Sequence, residues 1–420
     1  MPTLKTVEDI DKCVQETVAH TPVVDVHTHL YPPSFGKLLL WGIDDLLTYH
    51  YLVAEVMRRT PTDSGHFWKL TKTEQANLIW RKLFLENSPV SEACRGPLSV
   101  LKILGIDLAS RKLDAARDYF NHVTAREYAD IVFSKARVRK VVMTNDPFDP
   151  AERAVWMKKP LRDRHFAAAL RIDPILTNWA QAAPQLKSWS YKVRTKIDGE
   201  TVTELRRFLL DWIRRIRPLY LAASLPFDFA YPDKSARSTL IRHCVLPTAR
   251  RAGIPFAMMI GVRRLVNPDL RLAGDSVGVA DGSVVETLCA EFPENRFLVT
   301  MLSRENQYQL CVSARKFRNL MPFGCWWFLN NPGLVEETTR LRTELLGLSY
   351  IPQHSDARIL DQLLYKWAHA RAVIAKVLSE KYQDLAATGW QVKSEDVRRD
   401  VESLFAGNFE RFLAETPKGK

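Results

Sequence analysis

Val-Val-Asp-Val-His-Thr-His, residues 23–29, is a short β-branched run that ends on two histidines two positions apart. Such runs fill buried strands, where β-branched side chains pack well. Seven more follow, at residues 138–145, 166–174, 219–226, 255–261, 297–303, 320–328 and 350–356. Each is followed by a polar or Gly/Pro break and then by apolar positions at helical spacing, as in 201–215, 235–252, 282–291 and 334–346. Near-continuous apolar strands alternating with helices predict a parallel sheet covered by helices. Eight units predict a closed (β/α)8 TIM-like barrel. The alternative, an open doubly wound sheet, lacks its usual mark, because no GxGxxG or GxxxxGK[ST] turn follows any run. No repeat of fixed period is present.

A barrel of this kind needs about 250 residues, and the chain has 420. The excess lies mostly between the first two runs, at about 32–137, where 44–57 and 70–84 are amphipathic. This predicts a helical insertion after the first strand, rising over the catalytic mouth. Residues 361–382 read as the closing helix and about 383–420 as a helical tail. No linker divides the chain, so one domain, 1–420, is expected.

Lys and Arg number 60 against 48 Asp and Glu, a formal charge of +12. The basic residues come in scattered pairs, such as Arg206-Arg207 and Arg250-Arg251, which reads as solvated helix faces rather than a nucleic-acid surface. Six cysteines without a CxxC pair argue against a disulfide framework or zinc ribbon and for a reduced, cytoplasmic setting. The start, MPTLKTVEDIDKCV, lacks the apolar centre of a signal peptide, and no apolar run approaches the roughly 20 residues of a membrane helix. A soluble protein without a membrane partner is expected.

On a regular strand Asp25, His27 and His29 share one face. Two imidazoles at this spacing can bind one divalent metal, although HxH alone also describes ordinary rim histidines. The eighth run ends in Gln353-His354-Ser355-Asp356, and in a closed barrel the first and eighth strands are neighbours. Asp356 then joins the histidines, with coordination positions left for water or substrate. On its own Asp356 reads as a helix N-cap. Arg358 stands where a guanidinium can clamp a carboxylate through two bonds, and Arg171 adds a cation at the same rim. His354 reads as a buried, hydrogen-bonded histidine. The fourth, fifth and sixth runs carry no histidine, which starves a two-metal site of ligands. Trp326, Trp327, Asn330 and Asn331, at the end of the seventh run and just beyond it, form the apolar-plus-amide combination that suits a sugar. Tyr49-His50-Tyr51 in the insertion supplies ionisable groups.

Five stretches, VVDVHTHLYPPSFG (23–36), GIDDLLTYHYLVAE (42–55), LRIDP (170–174), FGCWWFLNNP (323–332) and HSDAR (354–358), together resemble the uronate isomerases, a branch of the amidohydrolase superfamily. The likeness spans nearly the whole chain, including SRENQYQLCVSARKFRNL (303–320). It implies isomerisation of glucuronate to fructuronate and of galacturonate to tagaturonate. It also implies one divalent ion, commonly zinc, on His27, His29 and Asp356. Substrate contacts carry over to His50, Tyr51, Arg171 and Arg358, and less securely to Trp326. The chain is shorter than the commoner members and reads HSDAR where many have a TDSR-like turn, as in a compact, divergent branch. The leading expectation is a cis-enediol isomerase of hexuronates, with Tyr51 or Asp356 moving the proton. A single-metal hydrolase of an anionic small molecule and a silent sugar-acid binding protein are the alternatives. The preferred uronate and any homo-oligomer are left open.

Overall fold

The computed structural model describes residues 3–61 and 63–415, so the last five residues of the expected tail lie outside it. Seven parallel strands curl into one sheet: β1 (Val23–Thr28), β2 (Val138–Asn145), β3 (Phe166–Arg171), β4 (Leu221–Pro226), β5 (Phe256–Arg263), β7 (Phe297–Met301) and β8 (Leu320–Pro322). A two-residue strand, β6 (Ser276–Val277), pairs antiparallel with β5 beyond this path. Seven of the eight apolar runs thus form barrel strands, and β5 continues past the end of its run to reach β6.

The eighth run differs. Residues 350–357 form no regular strand, yet single backbone bonds tie them to both neighbours. Ile351 N donates to Pro322 O (3.1 Å) and Gly324 N to Ile351 O (2.9 Å) on one side. On the other, Asp356 N donates to His27 O (3.1 Å) and His29 N to Ala357 O (2.7 Å). Buried backbone that leaves a ladder must find other partners, and side chains supply them. Asn330 Nδ2 donates to the His354 and Ser355 carbonyls (3.1 and 2.9 Å), and Lys366 Nζ also donates to Ser355 O (2.7 Å). Gln353 Oε1 accepts from Cys325 N (3.0 Å), and Asp25 Oδ1 accepts from Ser355 N (3.0 Å). The Asn330 amide, expected to face a sugar, is therefore spent on closing the barrel.

Alternation along β1 also departs from the regular pattern. Val24 and Val26 pack inside the barrel with Tyr220, Ala222, Met259 and Leu298. Asp25 turns outward, where its Oδ2 accepts from Trp367 Nε1 (2.8 Å) on the helix Gln362–Ala387. Asp25 and His27 therefore do not share a face. The register to β2 slips between Asp25 and Thr28, and such a bulge re-aims side chains beside active sites. His27 turns inward immediately after Val26.

Between β1 and β2 the chain is helical, including His50–Arg59, Lys72–Ile79, Glu92–Leu104 and Ala125–Ala136. The run read as one helix over 44–57 is two, Ile43–Leu47 and His50–Arg59, and the break at Thr48-Tyr49 presents His50 and Tyr51 in a first turn. At the opposite end, Ala406, Phe409 and Phe412 of the C-terminal helices pack on the barrel interior and plug it. Arg296, buried at that end, donates to Leu413 O (2.7 Å) and to Phe412 O.

Gly324 marks a tight approach. Its φ is +66°, and a Cβ there would lie 1.9 Å from His354 Cδ2. The His354 ring is itself fixed between His27 (5.1 Å) and Phe323 (5.4 Å). Gly324→Ala should therefore lower unfolding free energy by about 2–3 kcal/mol in chemical denaturation, combining overpacking with a strained backbone. A loss within about 0.5 kcal/mol, the range of ordinary surface changes, would contradict this packing.

Candidate active site

The site is assembled where β1 and the irregular eighth segment meet. Tyr220 Oη lies 2.6 Å from the Val26 carbonyl and Thr144 Oγ1 3.0 Å from the Thr28 carbonyl, so each hydroxyl donates to β1 backbone. Each then accepts from a histidine: His29 Nδ1 lies 2.8 Å from Thr144 Oγ1 and His27 Nδ1 3.4 Å from Tyr220 Oη. This network assigns the hydrogen of both rings to Nδ1 and leaves both Nε2 lone pairs free. Those lone pairs meet Asp356 Oδ1 at 3.2 Å from His29 and 3.7 Å from His27.

Burial pushes the imidazole pKa values down, to about 3 for His27 and about 4 for His29, so both rings are neutral. Burial alone would raise the Asp356 carboxyl, but cationic neighbours, the Lys366 ammonium among them, outweigh it and keep the group ionised. Three acceptor atoms thus lie within 4.8 Å of one another. His27 Nε2 and Asp356 Oδ1 have no hydrogen-bond partner among the described residues. Converging acceptors without a hydrogen between them can hold a cation, and two imidazoles and a carboxylate fit a divalent ion. Among the described residues no other group of three such side chains has this spacing. Asp356 is held at φ +50°, a strained value for a non-glycine residue.

The other sequence-predicted residues surround this centre. His50 is buried with its Nε2 unpartnered, and Tyr51 has a buried, unpartnered hydroxyl. Their rings lie 4.6 Å apart, edge to face. Burial, reinforced by Tyr49 and Asp356, drives the Tyr51 pKa well up, so it stands as a phenol. Burial drives His50 well down. Arg171, close enough to act electrostatically on His27 and His29, donates through Nη2 to Asp173 Oδ1 (2.8 Å) and keeps a buried, free Nε. Asp173 Oδ1 is also held by Ser224 N (3.3 Å). The Arg358 backbone is fixed by Gln362 Oε1 (2.8 Å), while its guanidinium has no hydrogen-bond or ion-pair partner among the described residues. Trp326 is buried against the barrel interior, in contact with the neighbouring Trp327 (5.9 Å).

Some participants carry little or no mark in the sequence. Trp327, legible there only as one of a tryptophan pair, faces His50 at 6.0 Å and has an unpartnered indole N–H. Lys366, in the closing helix, reaches back to Ser355 beside Asp356. A lysine in an amphipathic helix gives no sign of this role. Thr144 does give one, because it stands at the C-terminal end of the second run. His354 is buried as expected but not hydrogen-bonded: neither ring nitrogen has a partner among the described residues.

No protein-family model matches the chain, and no curated protein sequence matches it. Solved structures do. A uronate isomerase from Bacillus halodurans C-125 is 52% identical, with a TM-score of 0.97, over 99% of this chain and 98% of that one. A uronate isomerase from Thermotoga maritima (13% identity, TM-score 0.80, 96% and 97% of the chains) shares the fold. So does a glucuronate isomerase from Caulobacter crescentus (13%, 0.76, 99% and 96%). Identity of 52% along essentially the full length of both chains leaves one assignment: this chain belongs to the uronate isomerase family.

Proposed function

We propose that the protein interconverts hexuronates and their ketose forms, D-glucuronate with D-fructuronate and D-galacturonate with D-tagaturonate. The observation that carries this reading is a relative named a uronate isomerase at 52% identity. The convergence of His27, His29 and Asp356 supports a single divalent ion, with zinc the ion best suited to two imidazoles and a carboxylate. Bound there, it would polarise sugar oxygens as a Lewis acid.

The remaining roles belong to the chain's own side chains. The free guanidinium of Arg358 and the Asp173-oriented Arg171 bind the substrate carboxylate. His50 and Trp327 offer polar atoms that lack protein partners to the sugar hydroxyls, and Trp326 backs Trp327. Asp356, ionised, accepts the proton from C2, while Tyr51, a phenol, donates to the carbonyl oxygen at C1. The product of that exchange is a cis-enediol. Loss of the C2-hydroxyl proton to Tyr51, with delivery to C1 of the proton held by Asp356, completes the ketose. The six cysteines are unpaired, which supports a cytoplasmic setting. No helix among the described residues is long and apolar enough to cross a membrane.

Incubating the protein with D-glucuronate and D-galacturonate and following the sugars by NMR tests the assignment. Ketose signals should grow to equilibrium with at least one of the two. Unchanged aldose spectra with both would overturn it. Arg358→Lys should lower kcat/KM by roughly 10–100-fold on uronates, because an ammonium cannot reproduce a planar two-bond fork worth about 1.5–3 kcal/mol. Near-normal kcat/KM in that variant would transfer the clamp to Arg171.

A further inference from the structure

A second polar cavity lies at the opposite end of the barrel. It is framed by the helices Pro150–Met157 and Gly199–Ile216 and by the turn that follows Trp179–Ser188. The loop residues 158–165 and 217–220, which line one side, lead into β3 and β4. The cavity therefore opens at the N-terminal ends of the strands, a strand length of roughly 20 Å from the metal ligands. Its volume is about 690 Å³, within the range of small-molecule sites.

Its lining is chemically one-sided. Six cationic side chains face it and one carboxylate, Asp211. Asp211 is already engaged, by the Tyr191 hydroxyl (3.0 Å) and by Arg214. Arg153, Lys159, Arg162 and Arg217 have no side-chain hydrogen-bond or ion-pair partner among the described residues. Arg153 is not a loose surface chain. Its guanidinium stacks 3.7 Å from the Trp189 ring and lies 5.4 Å from that of Trp212, with Nη1 buried and unpartnered. A buried donor without an acceptor is costly, and fixing it between indole rings removes the entropy that binding would otherwise consume.

We propose that this cavity binds a phosphate ester. A phosphate offers several charged acceptors in one compact group, which matches the Arg153 fork and the Lys159, Arg162 and Arg217 rim. The half-buried Trp189 and Tyr191 rings leave apolar surface for the organic part. The site is separate from the isomerase centre and does not depend on the reading of that centre.

Calorimetric titration with ADP and with glucose 6-phosphate tests the proposal and distinguishes the two sources of the phosphate. At least one should bind with a Kd below about 1 mM, and the tighter ligand identifies the organic part. Lys159→Ala/Arg162→Ala alters only exposed rim residues and should keep the wild-type melting temperature. It should weaken binding at least about tenfold, as should Arg153→Gln, because each removes charge-assisted bonds to the phosphate. Absence of binding by both ligands would overturn the proposal. So would binding that the rim variant leaves unchanged, because the phosphate would then lie elsewhere.

Discussion

Replacing His27 and His29 together by alanine should leave a folded protein that no longer retains a divalent ion. Uronate turnover should fall at least about 10³-fold, since two of three ligand atoms disappear and losing even a supporting contact behind a ligand typically costs 10–100-fold. Folding should survive because the imidazoles are neutral and satisfied only through Nδ1, so their removal breaks no ion pair. The wild type, by contrast, should lose thermal stability on chelation. An ion at 1,000 times its Kd contributes about 4 kcal/mol to the native state. Elemental analysis should find about one ion per wild-type chain and none in the variant. Two tightly bound ions per chain, or an ion retained by the variant, would contradict the mononuclear site and favour a hydrolase.

Tyr51→Phe should slow isomerisation by about 10²–10⁴-fold, the usual contribution of a positioned acid or base, with metal content unchanged. The hydroxyl it removes is buried and has no protein partner, so its loss leaves nothing else unsatisfied. Burial holds it protonated, which assigns it the donor half of the exchange and Asp356 the acceptor half. A proton that passes through protein groups meets solvent, whereas a hydride shift carries hydrogen from C2 to C1 unseen. In heavy water the wild type should place deuterium at C1 of the ketose. Complete retention of the substrate's C2 hydrogen, together with undiminished activity of the Tyr51→Phe variant, would rule the enediol route out.

The barrel is legible because its buried strands are continuous β-branched runs, and seven of them stand where the sequence puts them. What escapes is local geometry that no residue type encodes. The eighth segment closes the barrel through Asn330, Gln353, Lys366 and Asp25 rather than through a ladder, since Asp356 at φ +50° cannot continue a strand. The bulge in β1 likewise follows from packing: it admits Val26 and His27 to the interior in succession while sending Asp25 to Trp367. The convergence of His27, His29 and Asp356 can be read from HxH and a distant aspartate because strand adjacency follows from barrel closure. Which tryptophan of the pair faces His50, and what Lys366 does, cannot. Those roles arise from a turn and a helix whose approach to the site is set by tertiary contacts.

Isomerisation by this chain is proposed to depend on one ion at His27, His29 and Asp356. Stripping the protein with a chelator, restoring zinc in measured steps and following ketose formation from glucuronate and galacturonate by NMR tests it most directly. Activity should be absent in the stripped protein and rise in proportion to bound zinc, reaching its plateau at one ion per chain. Full activity without metal, or a plateau only at two ions, would contradict it.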